Sequence, residues 1–247
     1  MLRFSGLFLA ALALMGCQQS AADAQLTEQQ QDEVRGIVRD YILENPEIIE
    51  EALIELQRRA REREMQDMYD AVAAQSDAIY GDARDPRVGP DDADVIIVEF
   101  MDYKCSYCRI ANGWVQDVRE RHGDRVQVLF KEYPILGEES VQASRAALAA
   151  LRQGIDVYEA FHNAMISSSG PLPDQRIDQL ARLSGVDVER MRTDMEDPAI
   201  LDHISQSRSL GSVLGVTGTP FFIIEGSVIP GANEMALEEA LARALAD

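Results

Sequence analysis

The stretch Asp94-Val95-Ile96-Ile97-Val98-Glu99-Phe100-Met101-Asp102-Tyr103-Lys104-Cys105-Ser106-Tyr107-Cys108 decides the reading of this chain. Its first half is a β-branched apolar run, as expected of a strand covered on both faces. A short turn then leads into two cysteines separated by two residues. Beyond them, Ile110, Trp114, Val115 and Val118 recur at helical spacing to about Arg121. The order is strand, turn, helix, with Cys105 at the helix start. The first N–H groups of a helix lack intrahelical partners and its N-terminus carries partial positive charge, so a thiolate placed there is stabilised. Cys105 is therefore expected to be the exposed, attacking sulfur. Cys108, one turn further in, is expected to be the buried resolving partner. Lys104 and Arg109 flank the pair and are expected to favour the thiolate further.

Other uses of two cysteines fit less well. Zinc takes four ligands, and His122, His162 and His203 are far apart in sequence. A c-type haem needs His directly after the second cysteine, where this chain has Arg109. A purely structural disulfide here closes so small a loop that it removes little unfolded-state entropy. A redox-active dithiol that needs no bound cofactor is the expectation. The alternative is a non-catalytic binding protein that holds Cu(I) on Cys105 and Cys108, since soft thiolates suit that ion.

The third cysteine has a separate context. Residues 1–17 read MLRFSGLFLAALALMGC: one positive charge, a short apolar run, then a small residue before Cys17. The run is too short to span a membrane and fits the core of a secretory signal. Leu14-Met15-Gly16-Cys17 resembles a bacterial lipobox, in which the cysteine receives lipid and becomes the mature N-terminus. Residues 18–25 are polar and read as a tether. An ordinary secretory signal with an incidental cysteine is the other reading. Both take the chain to the cell envelope, where disulfides persist.

Three downstream segments complete the core. Arg125-Val126-Gln127-Val128-Leu129-Phe130-Lys131 reads as a second strand. Glu99 and Lys131 end otherwise apolar strands, and buried charges should be paired or protonated. They are expected near one another beneath the cysteines, serving proton transfer to Cys108. Gly215-Val216-Thr217-Gly218-Thr219-Pro220 then approaches a strand, Phe221-Phe222-Ile223-Ile224, and is compatible with a cis Thr219–Pro220 bond. Glu225-Gly226 reads as a two-residue hairpin to Ser227-Val228-Ile229, and Asn233 as the cap of a helix over residues 234–246.

Taken together, Val98 through Cys108, Phe130-Lys131-Glu132-Tyr133-Pro134-Ile135-Leu136-Gly137, and Gly218-Thr219-Pro220-Phe221-Phe222-Ile223 resemble the DsbA-like branch of the thioredoxin superfamily over about residues 90–247. The resemblance implies an α/β thioredoxin fold carrying a helical insertion, here about residues 138–205. It implies that Cys105 is the nucleophile, Cys108 the resolving thiol and Pro220 a cis-proline facing them. The Thr219 backbone would pair with an extended substrate. Ser106-Tyr107 stands where strongly oxidising members carry Pro-His, so the direction of exchange stays open.

Residues 26–80 precede that domain. Val34, Ile37, Val38, Tyr41 and Ile42 fall on one helical face, and Ile48, Ile49, Ala52, Leu53 and Leu56 mark a second helix. The region is similar to the N-terminal part of suppressor-of-copper-sensitivity C-type proteins, a similarity that implies self-association. Residues 81–93 read as a linker and 94–247 as the catalytic domain. The chain of 247 residues has 23 basic against 43 acidic side chains, a net charge of −20. That excess argues against nucleic-acid binding and against polybasic attachment to anionic lipid. The expected partners are cysteine-containing exported proteins, a membrane redox partner and the membrane itself through the lipid.

Overall fold

The apolar run before the cysteines is strand β2 (Val95–Met101), and hydrogen-bonded partners on both sides make it an interior strand. A computed structural model describes residues 26–246, so the leader, Cys17 and the tether lie outside the described residues. On one side β3 (Val126–Glu132) runs parallel to β2, after the helical crossover a parallel pair requires, here α4 (Ser106–His122). On the other side β4 (Phe221–Ile224) is antiparallel, followed by β5 (Ser227–Pro230). Glu225 and Gly226, at φ 44° and 77°, make the hairpin between them, with both central residues in the left-handed region that such turns favour.

Residues paired across a sheet share a face, and the face alternates along each strand. Ile97, Glu99 and Met101 therefore lie with Val128, Phe130 and Glu132, whereas Val98 and Phe100 lie with Leu129 and Lys131. Each face has its own core. On the first, α4 and the C-terminal α10 (Glu234–Ala244) contribute Val115, Val118 and Leu241, and Trp114 meets Phe222 edge-on with ring centroids 5.8 Å apart. On the second, Phe100, Leu129 and Phe221 pack with Val72, Ile79 and Leu214.

Five helices connect β3 to β4: α5 (Glu138–Leu151), α6 (Ile155–Ser167), α7 (Asp174–Leu183), α8 (Val188–Asp194) and α9 (Pro198–Val213). Helix α9 runs past the expected end of the insertion near residue 205. Ser205, Ser207, Ser209, Gly211 and Ser212 weaken its local helical signal, but Asp197 caps the Ala199 N–H at 2.9 Å and Ile200 and Ile204 anchor it in the core. The expected linker 81–93 also differs. Within it a two-residue strand, β1 (Arg87–Val88), pairs antiparallel with the outer edge of β3. Gly89, at φ +124°, fits there because a Cβ would lie 2.5 Å from the Val126 carbonyl oxygen. So short a strand leaves no periodicity to read.

Two compact units divide between Arg59 and Ala60. The first contains α1 (Glu28–Glu44), opened by a reciprocal cap in which Thr27 and Gln30 each bond the other's backbone N–H. Pro46 separates it from α2 (Glu47–Ala74), which the short α3 (Ser76–Tyr80) follows. Helix α1 buries no residue: Val34, Ile37, Val38 and Tyr41 are 45–68% exposed along one stripe.

Lys131 takes part in the second core. Its Nζ donates to Asp85 at 2.5 Å and to the Ala78 carbonyl at 3.1 Å, and the other Asp85 oxygen faces His203 Nε2 at 2.9 Å. Removing one partner from a buried ion pair leaves the other uncompensated, at a cost of about 3–5 kcal/mol, whereas replacing both with apolar residues is often neutral. Asp85→Ala is therefore expected to lower the unfolding free energy measured by urea titration by that order. The double variant Asp85→Leu with Lys131→Met should recover most of the loss.

Candidate active site

Cys105 is the N-cap residue of α4, extended at φ −77° and ψ 119°, so the helix opens directly onto its sulfur. The loop before it is clamped by Asp102. That buried carboxylate accepts the backbone N–H groups of Lys104 at 2.8 Å, Ile135 at 2.8 Å and Leu136 at 3.0 Å, joining the end of β2 to the loop after β3. The Asp102 carbonyl accepts the Cys105 N–H at 3.0 Å. From the far side the Thr219–Pro220 peptide, which is cis, presents its carbonyl oxygen 3.2 Å from Cys105 Sγ. Residues separated by more than a hundred positions thus meet at one sulfur.

The two thiols differ sharply. Cys105 is buried rather than exposed as expected, but it keeps 7% of its surface open whereas Cys108 has none, so of the two sulfurs the first is the nearer to solvent. A hydrogen bond from the Cys108 thiol, then one from the Thr219 side chain and the backbone N–H groups of Cys108 and Tyr107, bring the Cys105 thiol down to about 5 against the opposing effect of burial. Burial, its own hydrogen bond to Cys105 and the charge of Glu99 push the Cys108 thiol well up. Exposed Tyr107, Ile110 and Leu136 offer apolar surface in the segments flanking the cysteines.

The flanking cations are engaged elsewhere. Lys104 Nζ pairs with Glu139 at 2.5 Å and Arg109 Nε donates to the Ile166 carbonyl at 3.2 Å, so the stabilisation of Cys105 is local hydrogen bonding rather than a basic side chain. Glu99 lies on the face of the sheet that carries the cysteines, buried, and burial with the neighbouring charges of Cys105 and Glu132 pushes its carboxyl up to about 8. Lys131 corrects the expected Glu99–Lys131 pairing. The register puts it on the opposite face, where Asp85 neutralises it. One position decides this, because a shift of one residue along a strand changes face.

The residue on the cysteine-bearing face is Glu132, which the sequence reading passed over. Its carboxyl accepts from Ser144 Oγ at 2.7 Å, Tyr103 Oη at 3.1 Å and Tyr158 Oη at 3.5 Å, and His162 Nδ1 lies 2.9 Å from the Tyr103 hydroxyl. All five residues are buried. The signal was a second charge, adjacent to Lys131, at the end of an apolar strand. Among the described residues, Asp82, Asp85 and His203 form a grouping with metal-ligand atoms, but Arg84 already pairs with Asp82 and Lys131 with Asp85, so side-chain cations already neutralise the carboxylates.

Comparisons with known proteins agree with this geometry. Residues 96–245 match the family model described as DSBA-like thioredoxin domain, and residues 30–63 match the Copper resistance protein ScsC N-terminal domain. A solved linker-deletion mutant of Proteus mirabilis ScsC is 30% identical with a TM-score of 0.67, covering 91% of this chain and 99% of that one. The Probable disulfide bond formation protein D of Bacillus cereus is 27% identical over 57% of this chain and 70% of its own length. The Na(+)/H(+) antiporter NhaA of Herminiimonas arsenicoxydans is 28% identical over 61% of this chain, which spans only 24% of that protein. With a CxxC pair at the start of a helix, a cis-proline opposite it and a family model covering most of the folded chain, this protein belongs to the DSBA-like thioredoxin family.

Proposed function

We propose that this chain is a thiol:disulfide oxidoreductase of the cell envelope, which forms, reduces or isomerises disulfides in exported proteins. The observation that carries the reading is the division of labour between two sulfurs. One is reachable, with a thiol brought down to about 5; the other is sealed and holds its proton. At neutral pH Cys105 is a thiolate and attacks a substrate disulfide. A Cys105–substrate bond forms, and the other substrate sulfur leaves as a thiol after taking up a proton. Cys108 then gives up its proton, with Glu99 as the acceptor, and attacks Cys105 Sγ. The Cys105–Cys108 bond forms, the substrate leaves reduced, and the reverse sequence oxidises it. Pro220 and the Thr219 carbonyl line the side from which substrate approaches. Thr219 is the backbone group against which an extended substrate segment pairs.

The leader motif supports export and attachment of lipid to Cys17, which places the domain on the periplasmic side of a membrane, next to a membrane redox partner. Helix α1 supports self-association, because its apolar stripe is uncovered and a helix of this length gains most of its stability from packing. Binding of Cu(I) by the same two sulfurs without turnover is the outcome that would replace the redox reading.

Three measurements test this. The 240 nm absorbance of the reduced protein should titrate near pH 5, and a midpoint close to 9 would overturn the assignment of Cys105. Cys105→Ser should abolish insulin reduction, whereas Cys108→Ser should lose turnover but accumulate mixed disulfides detectable by mass spectrometry. Glutamate at both Ile37 and Val38 should reduce the solution mass measured by light scattering while leaving thiol reactivity intact; an unchanged mass would remove α1 as the contact.

A further inference from the structure

Glu132 is a second buried carboxyl on the face of the sheet that carries Glu99. In the β2–β3 register Glu99 pairs with Phe130 and Met101 with Glu132, so the two acids are diagonal neighbours on adjacent strands, pointing into one core. Neither reaches solvent, and the Glu132 charge is one of the causes that raise Glu99. Two carboxyls so placed titrate as a unit, and ionising one makes the other hold its proton.

The groups around Glu132 fit a site that must exist in both protonation states. Tyr103, from the loop before Cys105, donates to Oε1; Ser144 on α5 donates to Oε2; Tyr158 and His162 close the cluster from α6, and the charge of Asp102 also acts on Glu132. A phenol has one proton. When Glu132 is ionised, the Tyr103 hydroxyl donates a hydrogen bond to it and accepts one from the His162 Nδ1–H. When Glu132 is protonated it donates to Tyr103, whose proton turns to an unprotonated His162 Nδ1. Burial holds His162 neutral, down to about 3, so it can serve in either tautomer without adding a charge. The contacts among Glu132, the Tyr103 hydroxyl and His162 Nδ1 are therefore kept in either state.

We infer that Glu132 is a positioning residue for the redox pair, sharing one proton with Glu99 and so setting the availability of Glu99 as the base that takes the Cys108 proton. This rests on the proposed exchange reaction. In the step concerned, the Cys108 S–H bond breaks and its proton passes to ionised Glu99. The Cys108 thiolate displaces the substrate sulfur from Cys105, and the disulfide substrate is the oxidant. Glu132 moves no electron; its charge decides how readily Glu99 is ionised beforehand.

The test is stopped-flow reaction of the reduced full chain with 5,5′-dithiobis-(2-nitrobenzoate) across pH 5–9. The first thionitrobenzoate released reports attack by Cys105, and the second reports resolution by Cys108. In Glu132→Gln the second phase should shift its pH midpoint downward relative to the first, and run several-fold faster near pH 6. Tyr103→Phe, which weakens the anion at Glu132 and passes ionisation to Glu99, should shift it the same way by less. An unchanged second-phase midpoint in either folded variant, checked by circular dichroism, overturns the inference. A wild-type chain that releases no second equivalent overturns the exchange reading itself.

Discussion

A sulfur anion in a nearly closed site must be met by hydrogen-bond donors, and α4 supplies them by starting at Cys105. An isolated charge taken out of water is costly, so the thiolate persists only where oriented donors replace the lost hydration. Here they are the Cys108 thiol, the Thr219 side chain and the free N–H groups of the first helical turn. The rest of the domain holds those donors in place. Asp102 fixes the approach to the helix with three backbone bonds, β2 sets the height of the loop from the middle of the sheet, and β4 returns the chain so that Thr219 lies against the sulfur.

This explains why a pair without a basic or imidazole-bearing residue between its cysteines still carries an acidic thiol. Ser106 and Tyr107 contribute through the backbone they occupy, and Tyr107 through its N–H in particular. Lys104 and Arg109, whose charges suggested a long-range contribution, are bound to Glu139 and to the Ile166 carbonyl. Both contacts tie the active-site segment to the helical insertion. The insertion thus does more than cover one face: through Ser144, Tyr158 and His162 it also surrounds the carboxyl of Glu132.

The parts legible in the sequence were those written in local chemistry. The strand–CxxC–helix order, the Glu225-Gly226 hairpin and the Asn233 cap each follow from a few adjacent residues with one dominant conformational preference. What escaped depends on register and distance. Nothing local distinguishes Lys131 from Glu132 as the charge on the cysteine-bearing face, because that depends on how β3 pairs with β2. Strand β1 exists only because β3 offers it an edge, and α9 is helical despite its serines because Ile200 and Ile204 are buried. Family resemblance supplied Pro220, whose role depends on packing against a cysteine far away in sequence.

The ionisation of the site has a consequence for redox poise. Cys105 is lowered from about 9 to about 5, so its contribution to the stability of the reduced fold is full above pH 9 and is lost as pH falls through 5. Cys108 is shifted the other way, but it is protonated at neutral pH in both folded and unfolded chains, so its shift adds nothing there. Glu99 and Glu132, raised to about 8, bind more protons folded than unfolded, and their effect destabilises the fold increasingly as pH rises from the ordinary carboxylate range. Across neutral pH the thiolate and the two acids therefore work against one another. The acids are present in both redox states, whereas the thiolate exists only in the reduced one. The difference between the two states follows Cys105 and, through the thiolate charge that helps raise it, Glu99; a stabilised thiolate favours the reduced pair, which makes its disulfide a better oxidant.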